Sequence, residues 1–264
     1  MTDDRSSEWA RAGVRFERTD AVATVRLARP EQRNAQTPAT WRALREIGEV
    51  VLADAAVRVV VLRAEGRSFS AGLDRAMLGA GIDGEPGLAE LAGLPQDALD
   101  RTIDGFQQAF TWWRDPQVIS IAAVQGHAVG AGFQLALACD LRVLADDAQL
   151  AMRETGLGLV PDLGGTQPLV DAVGYSRALE ICSTGRWVGA EEAVSLGLAT
   201  VVVPRAELDA ATDDLVAALL VAPADAVRAT KGLLRGATSR TYDEQRAAER
   251  AAQAVRLGQL TGGR

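Results

Sequence analysis

Residues 126–140, Gly-His-Ala-Val-Gly-Ala-Gly-Phe-Gln-Leu-Ala-Leu-Ala-Cys-Asp, set three glycines directly ahead of a helical apolar pattern. They follow the apolar run Val118–Val124, which reads as a buried strand. A strand, a tight glycine loop and a helix N-terminus aim unpaired backbone N–H groups at one point. Such a point suits an anion, or an oxygen that gains negative charge during a reaction. Other chemistries find less support. His127 is the only histidine, so a Ser-His-Asp triad would need it, yet no Gly-x-Ser-x-Gly elbow is present. One histidine and two distant cysteines, Cys139 and Cys182, form no metal ligand set. The spacing of Gly126, Gly130 and Gly132 is not that of a Gly-x-Gly-x-x-Gly dinucleotide loop.

The elements that must position this loop follow from periodicity. Residues 1–12 read as loose chain. Val14–Arg18 and Val22–Leu27 alternate as a hairpin around Asp20. Arg29–Ala35 is a polar loop, after which Thr37 caps a helix with Pro38 at its first position. Trp41, Leu44, Ile47 and Val51 give that helix one apolar face. The β-branched run Val57–Leu62 reads as a buried strand, and Glu65–Asp74 after it forms a second strand-to-glycine unit. Residues 79–96, with five glycines and two prolines, read as a mobile, lid-like loop. Leu99, Ile103, Phe106, Phe110 and Trp113 mark an amphipathic helix that stops before Pro116. A strand near Leu141–Ala145, a glycine-rich loop over 153–165, helical segments broken at Gly174, Gly185 and Gly189, and a short strand Val201–Val203 come next. Three helices end the chain. Alternating strands and helices followed by helices alone predict an α/β core over residues 1–203 and a helical region over 204–264.

Composition narrows the class. A chain of 264 residues, 48% hydrophobic, is long enough to bury a full core. No run of 18 apolar residues predicts a membrane span, and the first residues lack the pattern of a signal peptide. Two cysteines in such a length favour a reducing, cytoplasmic setting. The net charge of −7 argues against nucleic acid as a partner, and leaves room for a local basic patch that meets a phosphorylated ligand.

Four blocks then resemble the enoyl-CoA hydratase/isomerase (crotonase) superfamily, in order and across almost the whole chain. They are Arg29-Pro30-Glu31-Gln32-Arg33-Asn34-Ala35, Phe69-Ser70-Ala71-Gly72-Leu73-Asp74, the central stretch 126–142, and Gly156–Gln167 with its Pro161-Asp162-Leu163-Gly164-Gly165 core. The resemblance implies a spiral of ββα units of the ClpP/crotonase kind, with C-terminal helices that mediate trimerisation. It implies a homotrimer or a hexamer made of two trimers, no permanently bound cofactor, and a coenzyme A thioester as substrate in fatty-acid or acyl-CoA metabolism.

By position within those motifs, the backbone N–H groups of Leu73 and Ala131 are the expected oxyanion hole for the thioester oxygen. Hydratases of the family use two glutamates; here the central-helix position is Gln134 and the fourth-block position is Glu154. Glutamine exchanges no proton at neutral pH and acts only through hydrogen bonds. A double-bond isomerase needs one base that removes a proton at one carbon and returns it at another, and a carboxylate with a raised pKa suffices. Glu154 is therefore the expected acid/base, with Asp162 as its partner; an isomerase is favoured over a hydratase. An acyl-CoA-binding protein with reduced chemistry is the alternative. Blander roles stay open at this stage: a Glu154–Arg153 surface pair, Asp162 as a helix cap, Gln134 as a core polar residue.

For coenzyme A, the resemblance points to Arg29, Arg33, Asn34, Ala35, Ser70, Ala71 and Asp74. Lys231 is a weak candidate for a contact made from a C-terminal helix. The acyl pocket is expected from the helix 97–114 and the loop 79–96, with Phe106, Phe110, Trp112 and Trp113 as possible wall residues.

Overall fold

In a computed structural model, residues 2–79, 81–82 and 84–261 are described. The inner strands of the central sheet are buried on both faces and read as mostly apolar runs, whereas the hairpin at its edge alternates. Its strands are β1 (Val14–Thr19), β2 (Val22–Leu27), β3 (Val59–Ala64), β4 (Ile119–Val124), β6 (Leu141–Ala145) and β9 (Val201–Val203). Their order is β1-β2-β3-β4-β6-β9, with β1 and β2 antiparallel and every other neighbour parallel. A second, three-stranded sheet joins β5 (His127–Val129), β7 (Gln149–Ala151) and β8 (Val188–Gly189).

Alternate residues of the central strands face two separate cores. Val60, Leu62, Ala122, Val124 and Leu144 join the larger one, beneath the helices α2 (Pro38–Ala53), α3 (Gln96–Thr111) and α4 (Ala131–Ala138). Val59, Val61, Ile121, Ala123, Val143 and Ala145 meet Leu208 and Val216 of α8 (Leu208–Val221) on the opposite face. Further helices are α5 (Thr166–Val173), α6 (Tyr175–Thr184), α7 (Ala190–Ser195), α9 (Ala224–Gly236) and α10 (Tyr242–Thr261). This is the crotonase fold, an α/β architecture with mixed sheets and C-terminal helices.

The chain repeats one path: a strand in the central sheet, a short crossing segment in the second layer, then a helix or helical turn. The crossing segments pair side by side, with parallel bridges between Gln36 and Leu73 and between Ser70 and Ala128. These contacts bring segments distant in sequence to the N-terminus of α4.

Two expectations need correction. Residues 1–12 are not loose chain: Thr2–Arg11 form a helix, α1, before β1. One side chain anchors it. Trp9 is buried edge-on against Phe16 at 5.8 Å and donates through Nε1 to Glu46 Oε2 at 2.9 Å. A single apolar anchor in a polar segment leaves no periodicity to read. The second correction concerns the loop 79–96, of which Ala80 and Asp83 lie outside the described residues. It carries a two-residue ladder, Gly81–Ile82 with Glu85–Pro86, and a helical turn, Leu88–Leu91. An ion pair between Arg42 of α2 and Glu85 fastens it.

Candidate active site

Two glycines make the site possible. Gly130, the N-cap of α4, adopts φ 51° and ψ −119°, a conformation closed to side chains. Gly72 has φ 84°, and a Cβ there would collide with the Val129 carbonyl. That same position lies 3.5 Å from the Ala131 nitrogen, so the two glycine loops meet at the first turn of α4.

The hydrogen bonds set the direction of the donors. The Gln36 N–H donates to Gly72 O (2.7 Å) and the Asp74 N–H donates to Gln36 O (2.8 Å), a parallel bridge centred on Leu73. Such a bridge turns the Leu73 N–H away from Gln36, toward the side where Gly130 and Ala131 lie. Ala131 is the first residue of α4, and N–H groups of a first helical turn have no intrahelical acceptor. Both residues line a cavity of about 640 Å³. Its lining combines Gln134, Arg153, Glu154 and Asp162 with apolar side chains, among them Trp41, Leu91, Leu99, Ile103 and Phe106.

Gln134 is buried in α4 and joins three segments. Its Oε1 accepts from the N–H of Leu163 (2.9 Å) and of Gly165 (3.3 Å). Two donors at that atom fix the amide orientation, so the NH2 group faces Glu154 and donates to its Oε1 at 2.7 Å. The other carboxylate oxygen, Oε2, is buried without a hydrogen-bond partner among the described residues. Burial raises the Glu154 pKa above the ordinary carboxylate range, and the nearby charge of Asp162 adds to the rise, while the Gln134 hydrogen bond opposes it. Asp162 stands on the cavity wall, open to solvent in part, and the shielding of its carboxyl raises its pKa as well. Its backbone carbonyl accepts from Gln107 Nε2 at 2.7 Å, which ties the loop to α3.

The blander roles give way at this point. Glu154 forms no pair with Arg153, whose guanidinium lies 4.9 Å above the Trp187 ring. Asp162 caps no helix: α5 starts at Thr166 with Gly165 as its N-cap and no side-chain cap. His127 sits edge-on to Trp187, outside the cavity. Of the four aromatic candidates Phe106 lines the cavity, whereas Trp112 and Trp113 stack at 4.0 Å in the core and Phe110 packs on Trp41. Lys231 is held within its own chain by Val118 O and Asp140 Oδ2, both at 2.6 Å.

The residues expected to meet coenzyme A form one connected loop cluster. The Arg29 guanidinium donates to Ala35 O (3.0 Å) and pairs with Asp74 (3.4 Å), and Asp74 Oδ1 accepts from the Ala76 N–H. Asn34 is buried; its Oδ1 accepts from the Arg29 N–H and its amide donates to Glu65 O and Ser68 O. These bonds support a left-handed turn at Arg33 (φ 52°) and Asn34 (φ 53°). The turn presents Arg33 O to the Ala71 N–H at 2.8 Å and leaves the Arg33 side chain exposed. Gln36 and Trp41, which carried no functional signal in the sequence, join this cluster through Ser70.

The sequence profile of the enoyl-CoA hydratase/isomerase family matches residues 17–257. The chain belongs to this family. A candidate enoyl-CoA hydratase from Thermobifida fusca YX, crystallised with CoA, is 50% identical, with a TM-score of 0.92 over 97% of each chain. The same protein has been crystallised with acetoacetyl-CoA. The hydroxycinnamoyl-CoA hydratase-lyase of Pseudomonas fluorescens is 30% identical over 88% of this chain and 81% of its own. The mitochondrial Δ(3,5)-Δ(2,4)-dienoyl-CoA isomerase of Rattus norvegicus is 35% identical over 69% of this chain and 56% of its own. Family membership makes the chain a crotonase-type acyl-CoA enzyme; the relatives span several reactions.

Proposed function

We propose that this enzyme isomerises a double bond in an enoyl-CoA, with Glu154 as the base and Asp162 as the second proton-carrying group. The observation that carries this reading is the Glu154 carboxylate: Oε1 is held by Gln134, while Oε2 is buried and unpartnered beside the first turn of α4. The Leu73 and Ala131 N–H groups bind the thioester oxygen. Glu154 Oε2 takes a proton from a carbon next to the double bond, and the C–H electrons spread into an enolate whose charge rests on that oxygen. A proton returned at another carbon, from Glu154 or Asp162, restores the neutral thioester with the double bond moved. No atom is added, so no second carboxylate is required to activate water, and Gln134 in place of a glutamate fits this economy.

Supporting the ligand class, the Thermobifida fusca relative was crystallised with CoA and with acetoacetyl-CoA. A trimer, or a dimer of trimers, is supported by apolar side chains left exposed on and around the C-terminal helices, such as Val221, Leu234 and Leu260. Both described cysteines are free thiols, in keeping with a cytoplasmic enzyme.

Ultraviolet absorbance tests the reading. Crotonyl-CoA, a 3-enoyl-CoA and a 3,5-dienoyl-CoA are supplied separately. Appearance of a conjugated enoyl band from the 3-enoyl thioester, or a shift of the dienoyl band, is the expected result. Loss of the crotonyl band would instead identify a hydratase. No change with any of them, while calorimetry still detects binding, would leave an acyl-CoA-binding protein.

A further inference from the structure

We propose that Gln36 and Trp41 are positioning residues that keep the Leu73 N–H aligned on the thioester oxygen and link it to the wall of the acyl cavity. The inference rests on the oxyanion role proposed for Leu73.

Gln36 is fully buried and uses all four of its polar positions. Its N–H donates to Gly72 O (2.7 Å) and its carbonyl accepts from the Asp74 N–H (2.8 Å). Its side-chain amide donates to Ser70 Oγ at 3.0 Å. Leu73 is thus bracketed at positions 70, 72 and 74 by one residue. The fourth bond comes from Trp41, whose Nε1 donates to Gln36 Oε1 at 2.8 Å.

The chain of bonds has only one direction. Indole N–H only donates, so Gln36 Oε1 must face Trp41 and its NH2 must face Ser70. A backbone carbonyl only accepts, so Ser70 Oγ gives its proton to Asn34 O (2.8 Å). It is left to accept from Gln36 and from the Gly72 N–H, the latter at 3.2 Å. None of these groups can rotate without leaving a buried polar atom unpaired. At its far end the Trp41 ring lines the cavity and packs on Phe106 at 4.8 Å. An acyl group seated there presses on the ring whose N–H steadies the oxyanion loop. The anchoring of α2 does not depend on this chain. It has its own cap at Thr37 and Thr40 and its own apolar face at Leu44, Ile47 and Val51.

The test compares wild type, Trp41→Phe, which keeps a ring and removes the N–H, and Gln36→Met, which keeps the length and removes both polar groups. A conjugated aryl-acryloyl-CoA is titrated in, and the red shift of its bound absorbance reports polarisation of the thioester carbonyl. Both variants should lose half or more of that shift, with free CoA affinity within about twofold of wild type. The kcat should fall roughly 10- to 100-fold at a near-constant KM, because removing an oxyanion donor outright costs about 10²–10³. An undiminished red shift and kcat, with only a lower unfolding temperature, would overturn the proposal. Should Gln36→Met fail to fold, Trp41→Phe decides alone. A wild-type red shift without turnover of any enoyl-CoA would sink the isomerase reading and leave this one standing; absence of the shift in wild type would overturn it.

Discussion

Gln134 and Glu154 are joined by a 2.7 Å hydrogen bond in which the amide donates and the carboxylate accepts. Because the Gln134 carbonyl is taken by the Leu163 and Gly165 N–H groups, the amide cannot reverse. The bond therefore engages one oxygen of Glu154 and leaves Oε2 unpartnered, the oxygen that acts in the proposed isomerisation. It also fastens the loop that carries Asp162 to the helix whose first turn contributes Ala131. Where the resemblance led to the expectation of an acid in a hydratase, the chain carries an amide that clamps three segments by hydrogen bonds.

Glu154→Gln should lower kcat by roughly 10²–10⁴, the range for loss of a general base. Stability should respond in the opposite sense. A carboxyl whose folded pKa is raised contributes stability that is present below its unfolded pKa and lost as pH rises through the folded one. The neutral variant escapes that loss. Its unfolding temperature should match wild type in acid and exceed it increasingly as pH rises past the ordinary carboxylate range. Calorimetric scans at several pH values check this, and a gap independent of pH would refute it.

The pH profile of kcat/KM should have an acidic limb displaced upward from the ordinary glutamate value of about 4.3. The base must be ionised to act, and burial, aided by Asp162, raises the pH at which it ionises. Asp162→Asn removes the neighbouring charge, so the limb should move back down while kcat falls. Initial rates across a pH series separate the two effects.

Gln134→Glu places a second carboxyl against Glu154 Oε1. Two carboxylates at that separation do not both ionise, so the pair should share a proton and the acidic limb should move up by a unit or more. Gln134→Ala should act differently. It leaves the Leu163 and Gly165 N–H groups buried and unpaired, at a cost of about 1–3 kcal/mol each. Denaturant unfolding distinguishes the variants: loss of the Gln134 hydrogen bond also moves the limb upward, but only the alanine variant strands the two N–H groups and lowers stability.

Gly72→Ala should abolish turnover, by about 100-fold or more, since the added Cβ meets the Val129 carbonyl and forces the Leu73 N–H out of line. The left-handed backbone adds a folding cost of about 1–2 kcal/mol. Turnover of the folded protein, measured beside its unfolding temperature, shows whether the loss exceeds the destabilisation.

The strands of the central sheet were legible for two reasons: the inner ones are buried on both faces and read as apolar runs, and the edge hairpin alternates. The second layer was not. Its members are two or three residues long, as at Val188–Gly189 and His127–Val129, or single bridges, as at Gln36 and Ser70, too short for any periodicity. The same limit hid Gln36 and Trp41. Trp41 falls on the apolar stripe of α2 and reads as core, while Gln36 shows its function only when Ser70, Gly72 and Asp74 arrive beside it. Glu154 and Asp162 were found by resemblance to motifs; nothing in their spacing reveals that one oxygen of Glu154 is orphaned. The capping role that sequence alone allowed Asp162 failed because α5 begins later, at Thr166.

Lys231 offers a test of how the C-terminal helices are fastened. Its Nζ donates to Val118 O and Asp140 Oδ2, and that same Oδ2 accepts from the Ser120 N–H (2.8 Å) and Oγ (3.1 Å). The ammonium is largely buried, and burial lowers its pKa against the opposing pull of Asp140. Lys231→Met leaves the Asp140 carboxylate without its cation and should cost about 3–5 kcal/mol. Adding Asp140→Asn removes the stranded charge, so the double variant should lose less than the sum of the two single losses. Since neither residue lines the cavity, kcat per folded molecule should stay within about twofold of wild type for Lys231→Met. Urea titrations of the four proteins complete the cycle, and strictly additive losses would show that the pair contributes no coupling.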